Sequence, residues 1–116
     1  MTIRTGVKRA AQKCPIAAVA ELVGDPWILL LIRDFTSGPK RFKDLMISLK
    51  GISTRTLTTK LKLLEMRKIV TRQAFRERPP RVEYELTSQG HELTKITDDM
   101  RAYGEKYLFK GKKSAH

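Results

Sequence analysis

The chain has 116 residues, 41% of them apolar, and a formal charge of +12 from 24 Lys and Arg against 12 Asp and Glu. That length suits one domain with a core of its own, and apolar content mixed with charge is the composition of a globular protein rather than a disordered one. No apolar run approaches the roughly 18–20 residues needed to cross a bilayer, and one cysteine cannot make an internal disulfide, so a cytoplasmic protein with no membrane partner is expected.

The first 13 residues, MTIRTGVKRAAQK, are basic and lack the apolar middle of a signal peptide, and they read as a flexible basic arm. CPIAAVAELVG follows, with Pro15 suited to a first helical position and Gly24 to a stop. DPWILLLIRDFTSG repeats the pattern: Asp25 as N-cap, Pro26 at the first position and Gly38 at the end. This second helix is apolar almost all round and is expected to be the central one. KRFKDLMISLKG sets Phe42, Leu45, Met46 and Leu49 at helical spacing, with Gly51 at the exit. ISTRTLTTKLKLLEMRK opens on Ser53, a good N-cap, and gives a helix over about 53–67.

Two strands are then predicted, IVTRQAF and VEYEL, the second placing Val82, Tyr84 and Leu86 on one face. Between them Arg76, Arg78 and Arg81 crowd round Pro79 and Pro80, which lack N–H donors and hold φ near −65°, as suits a protruding turn. Thr87 is read as the cap of one long helix reaching roughly Tyr107, and 109–116 as a basic tail. Residues 14–108 thus form one domain, ending in a helix over 87–108. Two helices separated by a short turn at Gly51 and Ile52 make a helix-turn-helix unit. A hairpin directly after it makes the unit winged, so the expected fold class is mainly α with a small β-hairpin.

Catalytic and metal chemistry are not expected. Two histidines, His91 and His116, and one cysteine have no metal-ligand spacing. There is no glycine-rich phosphate loop, no nucleophile elbow and no paired carboxylates in an evident cleft. Asp98 and Asp99 are neighbours on a helix and face different ways. No cofactor, no metal and no enzyme activity follow from this sequence.

Charge placement points instead to a polyanion. Residues 40–81 hold 13 Lys and Arg against 3 acids, while residues 82–105 hold 2 against 6. A continuous basic segment followed by an acidic one is the footprint of a nucleic-acid surface built from residues 40–81. On a helical wheel Leu57, Leu61 and Leu64 fall within about 60° of one another and are assigned to the core. Arg55, Thr59 and Lys62 lie nearly opposite, with Thr56 and Thr58 on the flanks. Such a face suits a major groove: arginine bridges guanine O6 and N7, threonine bonds a base edge or touches a thymine methyl, and lysine neutralises phosphate. Ser53 and Thr54 stand at the helix start, whose free amides favour phosphate. The wing arginines, Arg76, Arg78 and Arg81, are assigned to the backbone or minor groove. The competing reading is a winged-helix module that binds RNA or a protein partner without specific DNA readout.

At this point the chain resembles a known family. The Cys-Pro before the first helix, Gly24 followed closely by Trp27, and Ile-Arg-Asp at 32–34 are followed by Gly38 with Arg41-Phe42, Gly-Ile-Ser at 51–53 and Leu-Thr at 57–58. Pro-Pro-Arg-Val-Glu-Tyr at 79–84 and Leu-Thr before Gly90 complete the series. In order and spacing these resemble the HxlR-type winged helix-turn-helix regulators of bacteria over about Cys14 to Tyr107. Pro26 departs from the pattern, standing where such regulators often carry a basic residue. The resemblance implies a homodimeric DNA-binding transcription factor, paired through its N-terminal region and final helix, and with it an inverted-repeat operator on double-stranded DNA. Independently, Leu93, Ile96, Met100, Tyr103 and Tyr107 repeat at intervals of 3 and 4, the seam of a helix pair.

Cys14 has two readings. As the N-cap before Pro15, near Arg9 and Lys13, its thiolate is favoured by the helix start and by nearby cations. The resemblance adds a sensing role, because several regulators of this type respond to quinones, aldehydes or oxidants through a cysteine at this position. The other reading is a small buried hydrophobe, the usual fate of free cysteine. Without a second cysteine the available chemistry is alkylation, a sulfenic acid, a mixed disulfide, or Cys14 to Cys14 across a dimer.

Overall fold

The Asp25 carboxylate accepts a hydrogen bond from the Trp27 N–H at 2.8 Å, which satisfies one donor left over at a helix start. Pro26 follows where a missing N–H costs nothing. In the computed structural model, which describes residues 6, 8–10 and 12–109, this start opens a helix over Pro26–Phe35. The elements run α1 (Pro15–Val23), α2 (Pro26–Phe35), α3 (Phe42–Ser48), α4 (Thr54–Met66), β1 (Val70–Phe75), β2 (Arg81–Leu86), α5 (Ser88–Glu92) and α6 (Thr94–Tyr103), closing with a π-helical turn over Gly104–Leu108. The mainly helical, hairpin-bearing fold read from the sequence is the one found. Most of the 1–13 arm and of the 109–116 tail lies outside the described residues; residues 8–10 are helical.

The second helix is central, as its composition implied. Ile28, Leu31, Ile32 and Phe35 are buried, and α2 contacts α1, α3, β2 and α6. Leu45 and Leu49 of the α3 region, Leu57, Leu61 and Leu64 of α4, and Ile69, Val70 and Leu86 of the hairpin base join them in one core. Between α3 and α4 the chain turns at Gly51 with φ 93°, a conformation that costs side-chain-bearing residues energy, and the Ile52 N–H donates to the Leu49 carbonyl at 3.0 Å. Ile52 itself is buried under the turn.

At the end of α4 the Ile69 N–H reaches the Leu64 carbonyl at 2.9 Å and the Lys68 N–H reaches that of Glu65 at 3.0 Å. This is a Schellman ending, with Lys68 at φ 61° in the left-handed position usually held by glycine. It aims the chain straight into β1. The hairpin is antiparallel, from Val70 opposite Leu86 to Phe75 opposite Arg81. Val70 and Leu86 at its base are buried, Val82 and Tyr84 only partly, and Thr71 to Ala74 are exposed. The expected alternation therefore fades along the hairpin as it leaves the core. Outside the hairpin, Lys40 and Tyr84 exchange both backbone hydrogen bonds at 2.8 Å, so the segment before α3 pairs with the outer edge of β2.

The last segment departs from the single long helix read from the sequence. Thr87 does cap it: its hydroxyl accepts from the Gly90 N–H at 3.0 Å and donates to the Lys68 carbonyl. The helix is then interrupted at Leu93, whose N–H bonds back only three residues, to the Gly90 carbonyl, at 3.0 Å. Thr94 and Thr97 donate their hydroxyls to the carbonyls of His91 and Thr94, at 2.6 and 3.0 Å. Side-chain bonds to the preceding turn compete with the helical ladder and bend it. Gly90 is needed here because a Cβ would lie 2.1 Å from the Ile69 carbonyl oxygen. No single helix among the described residues is long and apolar enough to cross a membrane.

Candidate nucleic-acid interface

The helix α4 divides into two faces. Leu57, Leu61 and Leu64 are at most 1% exposed and hold it to the core. The opposite side presents Thr54, Arg55, Thr58, Thr59 and Lys62 to solvent, with Thr56 half-buried on the flank and Ser53 exposed at the N-cap. Ser53 Oγ accepts from the Thr56 N–H and donates to the Thr56 hydroxyl, both at 3.0 Å. Thr59 donates to the Arg55 carbonyl at 2.9 Å. These bonds hold Ser53, Thr56 and Thr59 close to the helix, and Arg55 and Lys62, with Met66 at the C-terminal end, are the long side chains on this exposed face.

Lys60, one residue round from this face, is turned away. It pairs with Asp25, the residue that caps α2. Burial works against the Asp25 carboxylate, but the hydrogen bonds from Lys60 and the Trp27 N–H, with the charge of Lys60, outweigh it and hold the carboxyl below its ordinary value.

The three wing arginines are placed differently from one another. Arg76 and Arg78 are exposed at the tip, and among the described residues they make no ion pair. Arg81 is folded back across the mouth of the hairpin. Its guanidinium lies 4.1 Å from the centre of the Phe75 ring, its Nη2 3.0 Å from Glu77 Oε2, and its Nε 3.4 Å from Glu83 Oε2. Arg72 adds an exposed cation on β1, one the sequence reading did not single out. Chemically, α4 offers hydroxyls, a guanidinium and an ammonium on one narrow convex surface, and the wing offers two further guanidinium groups.

The stripe on the last segment splits in two. Leu93 is half-buried and packs on the core of its own chain, and Ile96 is half-buried. Met100, Tyr103 and Tyr107 are 50%, 62% and 58% exposed, with the two tyrosine rings 4.9 Å apart, and Leu108 and Phe109 are exposed beyond them. Helix α1 is similar: it carries one acid, Glu21, yet none of its residues is buried, and Ile16 and Val19 are exposed. Cys14 is the N-cap of α1 by backbone conformation, makes no capping hydrogen bond and is exposed. The buried-hydrophobe reading of this thiol does not hold within the chain. Among the described residues no group of three or more His, Cys, Asp or Glu is placed to hold a metal ion.

A model of the HxlR-like helix-turn-helix family matches residues 22–112. The chain belongs to the HxlR-like helix-turn-helix family. An HTH-type transcriptional regulator of Synechocystis is 39% identical over 82% of this HxlR-like chain and 70% of its own length. The HTH-type transcriptional regulator YodB of Bacillus subtilis is 35% identical over 84% of this chain and 88% of its own. The solved reduced form of YodB superimposes with a TM-score of 0.72 over 85% of this chain and 98% of that one, at 36% identity. The redox regulator HypR in its oxidised form gives 0.76 over 80% and 96%, at 34% identity. The HxlR-like chain is accordingly a transcriptional regulator of the helix-turn-helix type.

Proposed function

We propose that this regulator binds double-stranded DNA sequence-specifically as a homodimer in the cytoplasm. Helix α4 enters the major groove and the wing lies on the backbone or minor groove. The observation that carries the reading is the division of α4. Three leucines lock it to the core, and the exposed face opposite presents short polar side chains and two long cations, with Met66 at its C-terminal end. Arg55 reads a base edge; Thr54, Thr58 and Thr59 contact bases or thymine methyls; Ser53 and Thr56 shape the helix start that meets phosphate; and Lys62 neutralises phosphate. Arg76 and Arg78 supply the wing contact, and Arg81 supports it.

Pairing is supported by two exposed apolar stretches that no described residue covers, Ile16 and Val19 on α1 and Met100, Tyr103 and Tyr107 on the last segment. Contiguous apolar surface beyond a few hundred Å² is unusual on a soluble monomer. Two copies present two α4 helices, so the operator is an inverted repeat with half-site centres a whole number of turns apart, about 10–10.5 base pairs each. The test is competition between a palindromic promoter fragment and bulk DNA near physiological salt. Specific regulators prefer their site by about 10³-fold or more; a ratio near one would leave a module that binds only phosphate, RNA or a protein.

A redox or electrophile response through Cys14 is the second part of the proposal. Its support is the exposure of the thiol at the start of α1, together with the likeness to a redox regulator solved in its oxidised form. Modification there adds bulk beside an uncovered apolar helix and alters the pairing that spaces the two α4 helices.

A further inference from the structure

A cleft of about 330 Å³ opens where α2, the segment after it, α3 and α6 meet. That volume lies at the small end of the roughly 300–1,000 Å³ usual for small-molecule sites. Its walls carry Arg33 and Asp34 from α2, Lys40, Asp44 and Ser48 from the α3 region, and Arg101 from α6. Three of these groups are already engaged. Arg33 donates to Asp34 Oδ1 from Nε and Nη2 at 3.0 and 2.9 Å and touches Ser48 Oγ at 3.4 Å. Asp44 Oδ2 accepts the Arg41 N–H at 3.0 Å.

Two cations and one carboxylate oxygen are left over. The side chain of Asp34 is only 10% exposed, and its second oxygen, Oδ2, is buried with no hydrogen-bond partner among the described residues. Buried polar atoms of this kind are few in native proteins and costly when left unpaired. Lys40 and Arg101 make no ion pair among the described residues. The complement of this set is one molecule with an anionic group for the two cations and a hydrogen-bond donor close by for Asp34.

From this we infer that the cleft between α2, α3 and α6 is a binding site for a small carboxylic acid bearing a neighbouring ammonium or hydroxyl donor. Carboxylate on Arg101 is the geometry guanidinium favours. Arg101 sits beside Met100 on the last segment, and α3 opens the helix-turn-helix unit, so an occupant ties the two together. That regulatory consequence rests on the function proposed above; binding itself is measured without DNA, so the two fail separately.

The experiment is an amide NMR titration of the full chain at fixed ionic strength with L-serine, glycolate and acetate. Serine carries an ammonium as well as a hydroxyl, glycolate only a hydroxyl, and acetate neither. The amides of Asp34, Ser48 and Arg101 should shift saturably with serine or glycolate; tighter binding of serine assigns the ammonium as donor, and equal binding assigns the hydroxyl. Acetate should bind about tenfold more weakly or worse. Arg101→Gln, at an exposed position where folding is not at risk, should weaken binding by about tenfold or more, and Asp34→Asn should abolish the preference over acetate. Equal binding of acetate, shifts indifferent to both substitutions, or no saturable shift overturns the site. In the last case, loss of thermal stability in Arg101→Gln would assign Arg101 to Asp34 as an internal partner.

Discussion

Lys60 Nζ pairs with the Asp25 carboxylate, joining the inner flank of α4 to the start of the central helix. The same carboxylate caps α2 through the Trp27 N–H. Asp25→Ala should therefore destabilise the fold by about 1–2 kcal/mol through loss of the cap alone. Asp25→Asn keeps a capping oxygen and removes only the charge. Because the folded carboxyl lies below its ordinary value, the stabilisation by its charge is complete above the unfolded pKa of about 4 and is lost as pH falls through the lower folded value. The melting-temperature gap between the parent chain and Asp25→Asn should be constant near neutrality and close below about pH 4. A gap independent of pH down to about 3 means the pair contributes nothing.

Gly90 gives a steric prediction. A methyl group there meets the Ile69 carbonyl oxygen at 2.1 Å and Leu86 Cδ2 at 3.0 Å, and the first of these is backbone. Gly90→Ala should cost about 1–3 kcal/mol, as overpacking does, despite the roughly 1 kcal/mol that alanine gains in a helix. Chemical denaturation reads this directly. A more stable variant would mean that α5 and the Ile69 carbonyl, just before β1, are not in close contact.

Helix and wing should differ in what their arginines do. Arg55→Ala is expected to cost about 1–3 kcal/mol of operator affinity and to relax preference at one base pair. Arg78→Ala should weaken all sequences alike and reduce the salt slope by about one. Arg81→Gln, whose charge is shared with Glu77 and Glu83, should leave that slope nearly unchanged. Salt-dependent binding curves separate the three, and a change of base preference in Arg78→Ala would place the wing inside a groove.

Met100 is half exposed on the last segment, near Asp98 and Asp99 in sequence. Met100→Glu adds a third acid beside these two at the proposed seam and should give monomers in light scattering at micromolar concentration. A dimer unaffected by the substitution assigns the interface to another surface.

Cys14→Ser should bind operator normally and lose any response to a quinone or diamide. Mass spectrometry of the modified thiol, run beside operator binding, tests the link. Full modification with unchanged affinity removes Cys14 from the regulation.

Local pattern carried most of this fold. Asp25-Pro26 and Ser53 mark helix starts because capping is chemistry between near neighbours, and the leucine spacing on α4 identifies its buried face by geometry alone. The division of charge along the chain likewise marked residues 40–81 as the basic surface. Within the last segment the same reading overran, since threonine hydroxyls bonding back at His91 and Thr94 break a helix whose apolar spacing continues. Other features depend on partners far apart in sequence. Tyr84 pairs with Lys40 along an edge that exists only once the hairpin is packed, and Lys60 finds Asp25 only when α4 crosses the start of α2. Arg81 looked like its two neighbouring arginines until hairpin register placed Phe75, Glu77 and Glu83 around it. Residue type and periodicity determine which side chains leave the core; only the packed structure decides which of those cations are already neutralised and which remain to meet a partner.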